Sequence, residues 1–244
     1  MTHHYINVDI NQVLDRTARG DTMGGDFPLH HLSIEPDTPS ENAPAIVLVH
    51  GRGSHEQDLP PLVEDFPDDI HVLSVRAPTP LGPGYTWYDL DLSAGGLHGS
   101  QPDPDGYDTS LTLLKDFVEE AIPAYDLDAD RIGLIGFSQG AIMGLGAIVE
   151  YPDLFRWVAA LHGYLPARYT DDELTAATGT PVFIGAGERD QIIPVTRAEN
   201  AADRLRAAGG DVTFRTYPVG HGTNPQEVAD LTAWFQTQIR SEPV

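Results

Sequence analysis

The chain has 244 residues, with 37 acidic against 14 basic side chains, a formal net charge of −23 and no cysteine. That length fits one α/β domain with a sizeable core. So negative a surface repels a phosphate backbone and excludes nucleic-acid binding, while the missing cysteines exclude disulfides, thiolate-bound metals and a thiol nucleophile.

Lys115 is the one lysine among the basic residues. Carboxylates in such excess repel one another unless salt screens them, and the composition resembles that of proteins from halophilic cytoplasm. No apolar stretch approaches the ~20 residues of a membrane span, and the N-terminus lacks a basic region followed by an apolar run. A cytoplasmic protein, away from membranes, is the expectation. No linker or internal repeat divides the chain, so residues 1–244 are expected to form a single domain, with 1–25 as an irregular arm.

In chain order, His30 to Glu35 alternates in polarity and predicts an early strand, closed by a turn-rich run from Pro36 to Pro44. Ala45 to Val49 predicts a buried strand ending at His50-Gly51-Arg52-Gly53. A helix is expected from about Glu56 to Glu64 and a strand over His71 to Val75. Pro78 to Pro104, rich in Pro, Gly and Asp, reads as a long loop. Leu111, Leu114, Val118 and Ile122 mark one face of a helix over Tyr107 to Tyr125. Arg131 to Ile135 predicts a buried strand, and Ala141 to Val149 a buried helix behind it. Strands follow at Val158 to Leu161 and Pro181 to Ile184. A helix spans Val195 to Ala208, stopped by Gly209-Gly210, then a strand Val212 to Tyr217 and a helix Asn224 to Ile239. Strands alternating with helices predict a mostly parallel sheet covered on both faces, with chemistry at the C-terminal ends of its strands.

Between one predicted strand and the next helix stands Gly136-Phe137-Ser138-Gln139-Gly140, a G-x-S-x-G sequence in the strand, turn, helix setting that gives it meaning. Ser138 is the candidate nucleophile. A serine hydroxyl needs a base to take its proton. His221, in the loop after the last strand, supplies one. The imidazole needs a carboxylate to orient it, and Asp190, after the Pro181 strand, fits, with Glu188 as the alternative acid. The order Ser, Asp, His is the α/β-hydrolase order. An oxyanion needs backbone N–H donors, and those of Gln139 and of Arg52 in the H-G-x-G loop are expected to provide them. The Arg52 side chain itself reads as a surface ion-pair partner. Gly185-Ala186-Gly187 lacks the third glycine and the helix of a dinucleotide site, and His3-His4 and His30-His31 lack metal-ligand spacing. No metal and no cofactor are expected.

Together these residues resemble the serine carboxylesterase/phospholipase branch of the α/β-hydrolases, which includes acyl-protein thioesterases and dienelactone-hydrolase-like esterases. The resemblance runs from about Ala45 to Ile239. It rests on His50-Gly51-Arg52-Gly53, Arg76-Ala77-Pro78, Trp87-Tyr88-Asp89, the Ser138 pentapeptide, Asp190 to Pro194 and Gly220-His221. It implies an α/β-hydrolase fold without a large cap domain and cleavage of small carboxylic esters of short to medium acyl chain through an acyl-enzyme. Acyl thioesterase or lysophospholipase action is the alternative, and a non-catalytic binding protein on the same fold the alternative of another class. Relatives of this kind are monomers or homodimers. The resemblance also implies that Trp87 walls the acyl pocket, although an aromatic plug beneath a long loop fits it as well. Two departures stand out. Dienelactone hydrolases proper carry cysteine where Ser138 stands. After the Leu161 strand such relatives commonly carry Ser-Gly where this chain has His162-Gly163, so His162 is expected to line the site, with a packed histidine behind it as the alternative.

Overall fold

A computed structural model of the chain describes residues 27–38, 41–93 and 95–240, so the expected arm over 1–25 lies outside the described residues. Apolar side chains alternate along the central strands and divide the core in two. Along β2 (Ala43–Val49), Val47 and Val49 join one cluster while Ile46 and Leu48 join the other. Such two-sided burial demands helices on both faces of the sheet. On one face lie α1 (Pro104–Ala124), α2 (Gln139–Glu150) and α3 (Val195–Ala207). On the other, α4 (Pro225–Arg240) packs Leu231 and Phe235 against Trp157 and Phe183, beside a 3-10 turn at Pro60–Val63.

The sheet has seven strands. They are β1 (His31–Ile34), β2, β3 (His71–Val75), β8 (Leu127–Phe137), β9 (Trp157–Leu161), β10 (Val182–Gly187) and β11 (Val212–Tyr217), in the spatial order β1-β3-β2-β8-β9-β10-β11. Only β1 runs antiparallel to its neighbour; every other pairing is parallel. Four adjacent parallel strands, β8 to β11, thus end at one rim of the sheet. This is the α/β-hydrolase fold expected from the sequence.

Two stretches differ from expectation. Residues 56–64 do not form a helix. Glu56 turns inward to accept two 2.6 Å hydrogen bonds from Arg76, and Pro60-Pro61, which offer no N–H, leave only the 3-10 turn. The supposed loop 78–104 holds two small hairpins, β4 (Thr79–Leu81) with β5 (Gly84–Thr86) and β6 (Leu90–Asp91) with β7 (Gln101–Pro102). Asp103 ends it by capping α1, accepting from the Gly106 amide at 2.8 Å while also holding the Asp89 amide at 2.7 Å. With Pro104 in the first turn, that cap starts α1 three residues before the expected Tyr107.

Candidate active site

Ser138 sits between β8 and α2 at φ 53°, ψ −113°, a conformation that L-residues avoid. The strain is held by close backbone packing that only glycine permits. A Cβ on Gly140 would stand 1.8 Å from the Val49 carbonyl oxygen, and one on Gly136 would stand 2.2 Å from that of Gly140. A Cβ on Gly51 would press on the Phe137 ring and Ser138 Cβ at 3.2 and 3.3 Å. The turn therefore presents the hydroxyl at the rim with space kept clear beside it.

His221 Nε2 lies 2.9 Å from Ser138 Oγ, and His221 Nδ1 donates to Asp190 Oδ2 at 2.7 Å. The other Asp190 oxygen accepts from the Ile192 and Ile193 amides at 2.8 and 2.9 Å, which fixes the carboxylate plane. Burial alone would raise the Asp190 pKa. Hydrogen bonds from His162 and His221, the His221 charge and the Ile193 amide outweigh it and hold Asp190 well below the usual carboxylate range. An ionised acid, an imidazole and a hydroxyl in one chain can draw a proton from oxygen to nitrogen. Glu188, the other acid weighed from sequence, is exposed and faces the Thr216 hydroxyl instead.

Gln139 opens α2, so its amide has no acceptor within the helix and points to the same rim. Its side chain pins the next layer. Oε1 accepts from the Thr86 hydroxyl and the Trp87 amide, and Nε2 donates to the Tyr88 carbonyl. Opposite, the His50 ring orders the H-G-x-G loop, a function the sequence did not reveal. His50 Nε2 accepts the Ala77 amide at 3.1 Å, so Nδ1 carries the proton and donates it to the Gly51 carbonyl at 2.7 Å. Burial lowers the His50 pKa and keeps the ring neutral despite the Gly51 bond. In a planar trans peptide, fixing the Gly51 carbonyl in one direction aims the Arg52 N–H in the other. The Arg52 side chain is exposed, and its expected surface ion pair is not found among the described residues.

Two expectations need correcting. Trp87 does not wall an open pocket. It is 1% exposed in the core, and its indole N–H donates to the His50 carbonyl, so the plug alternative describes it. His162 does not line the site either. It is buried with its ring edge-on to His221, and its two nitrogens face Asp190 Oδ2 at 3.4 Å and Glu227 Oε2 at 3.1 Å, leaving nothing to offer a substrate. Glu227 was overlooked. The Asn224-x-x-Glu227 pattern at the start of α4 was its signal, since Asn224 caps the Glu227 amide at 2.8 Å. Atoms of His162, Asp190 and His221 also lie within 4.8 Å of one another, close enough for a cation. Both His162 nitrogens instead face carboxylates, His221 Nδ1 donates to Asp190 and His221 Nε2 accepts from the Ser138 hydroxyl, so the donor set is occupied by hydrogen bonds.

The comparisons with known proteins agree with this geometry. Residues 30–239 match the phospholipase/carboxylesterase family. The chain is 28% identical over 194 residues to the putative hydrolase MhqD of Bacillus subtilis strain 168, covering 80% of this chain and 93% of that protein. It is 30% identical over 215 residues to acyl-protein thioesterase 1 of Debaryomyces hansenii, covering 80% and 91%. In fold it resembles the crystal structure of the Bacillus cereus carboxylesterase, with a TM-score of 0.74 at 24% identity over 95% of this chain and all of that one. The chain belongs to the phospholipase/carboxylesterase family and is an α/β-hydrolase of esterase and thioesterase type.

Proposed function

We propose that the chain is a serine carboxylesterase that cleaves small esters of short to medium acyl chain. One observation carries the reading: the unbroken hydrogen-bonded path from Ser138 Oγ through His221 to Asp190, at 2.9 and 2.7 Å. In this reading Ser138 attacks the ester carbonyl as His221 takes its proton. Asp190 stabilises the imidazolium, and the amides of Arg52 and Gln139 hold the oxyanion. His221 then protonates the leaving alcohol, and water activated by the same ring releases the acid. Every atom in the sequence comes from the ester, water and these side chains, so the cycle balances without a metal or cofactor.

Acyl-chain length follows from what surrounds the rim. The segment before α1 is two short hairpins rather than a large cap, which favours short acyl groups. Leu92, Leu97 and Ile192 are exposed, and the His98 ring joins the Gln191 carbonyl at 2.8 Å, bringing two of these segments together as a small apolar lip. Thioester cleavage is the second reading, favoured by the likeness to an acyl-protein thioesterase. Rates on acetyl, butyryl and decanoyl esters beside the matching thioesters separate the two. We further infer one domain, a cytoplasmic setting with high salt, and a monomer or homodimer.

Ser138→Ala tests the chemistry. Hydrolysis of p-nitrophenyl acetate is expected to fall by several orders of magnitude with the fold intact. Near-normal turnover in that variant removes Ser138 from the mechanism. A fluorophosphonate probe is expected to label the wild type and not the variant, whereas an unlabelled wild type points to a non-catalytic binding protein.

A further inference from the structure

Behind His221 stands a second imidazole that acyl transfer does not require. His162 follows β9 with φ 55°, a backbone state that a side chain reaches only under constraint, and its amide donates to the Gly185 carbonyl at 2.8 Å. Its side chain is wholly buried, as is that of Glu227. Glu227 reaches it from the first turn of α4 because residue 185 is glycine: a Cβ there would come within 2.3 Å of Glu227 Oε1. That same oxygen has no hydrogen-bond partner, so the carboxylate spends its one contact on His162.

Asp190 and Glu227 can only accept when ionised, so both His162 nitrogens must donate, and the ring carries both protons and a positive charge. Burial opposes that charge, but hydrogen bonds to Asp190 and Glu227 and their negative charges override it and push the His162 pKa up to about 9. The rings of His162 and His221 are 5.8 Å apart, centre to centre. Four side chains meet the His162 ring by hydrogen bond or ring contact among the described residues. The Phe137 ring faces it from β8, Asp190 from the loop after β10, His221 from the loop after β11, and Glu227 from α4. Beyond Glu227, Tyr217 at the end of β11 is engaged with Asp230.

We propose that His162, held by Glu227, is a positioning residue for the triad: its ring meets the same Asp190 oxygen that orients His221 and holds that oxygen in place beside the base. The proposal rests on the serine-hydrolase reading. The contacts make the case. His221 and His162 both address Asp190 Oδ2, at 2.7 and 3.4 Å, while Glu227 anchors the other nitrogen of the His162 ring at 3.1 Å. Displacing His162 therefore frees the oxygen that orients His221.

The test compares kcat and KM on p-nitrophenyl acetate at pH 7.5 for the wild type, His162→Ser and the double variant His162→Ser/Glu227→Gln. The single variant strands a buried carboxylate and is liable to misfold. The double variant removes that burden. In any variant that folds, kcat is expected to fall about tenfold or more with KM little changed, since Asp190 Oδ2 loses one of its two imidazole partners. Nitrogen NMR of the wild-type histidines, with His162 assigned by its loss in the double variant, is expected to show both ring nitrogens protonated at pH 7.5. A kcat in the folded double variant equal to that of the wild type, or a His162 ring with a bare nitrogen at pH 7.5, overturns the proposal. If esters are not hydrolysed at all, the fault lies with Ser138, and the nitrogen signals still decide the state of His162.

Discussion

His50 shows how a neutral ring can direct chemistry that it never touches. Because Nε2 must accept the Ala77 amide, the proton sits on Nδ1 and fastens the Gly51 carbonyl. His50→Ala releases that peptide, and the Arg52 N–H loses its aim. Losing one oxyanion donor costs about 100-fold to 1,000-fold in kcat, so a donor left in place but loosened is expected to cost up to about 100-fold, with KM little changed. Steady-state hydrolysis of p-nitrophenyl acetate checks it, and an unaltered kcat would separate His50 from the oxyanion loop. The residue types of the triad were legible because their chemistry admits few substitutes and each follows a readable strand. The side-chain partners of His50, Gln139 and His162 were not. They depend on which atoms three-dimensional packing brings within reach, and a sequence gives no direct measure of that. His162 was singled out for its departure from Ser-Gly, yet Glu227, 65 residues further on, supplies half of its environment.

The elements most easily read are those whose ends carry their own signals. The helix expected from Val195 to Ala208 is found over Val195–Ala207, with Gly209 at φ 99° donating to Arg206 and Gly210 donating to Leu205, the closure that two glycines announce. The helix expected at 56–64 failed because burial of Glu56 against Arg76, a contact across the fold, outranks local propensity. Between these extremes lies the nucleophile turn, where the spacing was legible but its tightness was not. The backbones of β2 and α2 approach so closely at Gly140 that a methyl group has no room, since the Val49 oxygen would stand 1.8 Å away. Gly140→Ala is therefore expected to destabilise by about 3 kcal/mol or to prevent folding, the upper end for inserting a methyl into packed structure. Gly179→Ala is the control, because a Cβ there meets nothing within 4 Å and should change stability by less than about 1 kcal/mol. Urea unfolding of both variants checks the contrast, and equal midpoints would mean that β2 and α2 yield without cost.

At the scale of the whole molecule, the buried charges have partners of opposite sign and most of the imbalance lies outside. Arg76 answers Glu56, and His162 stands between Asp190 and Glu227. The surplus behind the net charge of −23 gathers on the surface, in Asp68-Asp69, in Asp126 with Asp130, and in Asp171-Asp172-Glu173. Compaction forces these groups together and unfolding lets them part, so their repulsion opposes the native state. Salt shortens the reach of that repulsion from about 30 Å at 0.01 M to about 3 Å at 1 M. Surface ion pairs such as Arg131 with Asp128 weaken over the same range, but exposed pairs contribute little, and the few cations cannot offset so many carboxylates. Raising potassium chloride from 0.01 to 1 M is thus expected to raise the midpoint of thermal unfolding by about 5–10 °C, equivalent to relieving roughly 2–3 kcal/mol in a chain of this size. The steepest part of the rise belongs at the dilute end, where screening changes fastest. A midpoint indifferent to potassium chloride across that range would mean that the carboxylates are spaced widely enough to ignore one another, and the inference of a high-salt setting would fall with it.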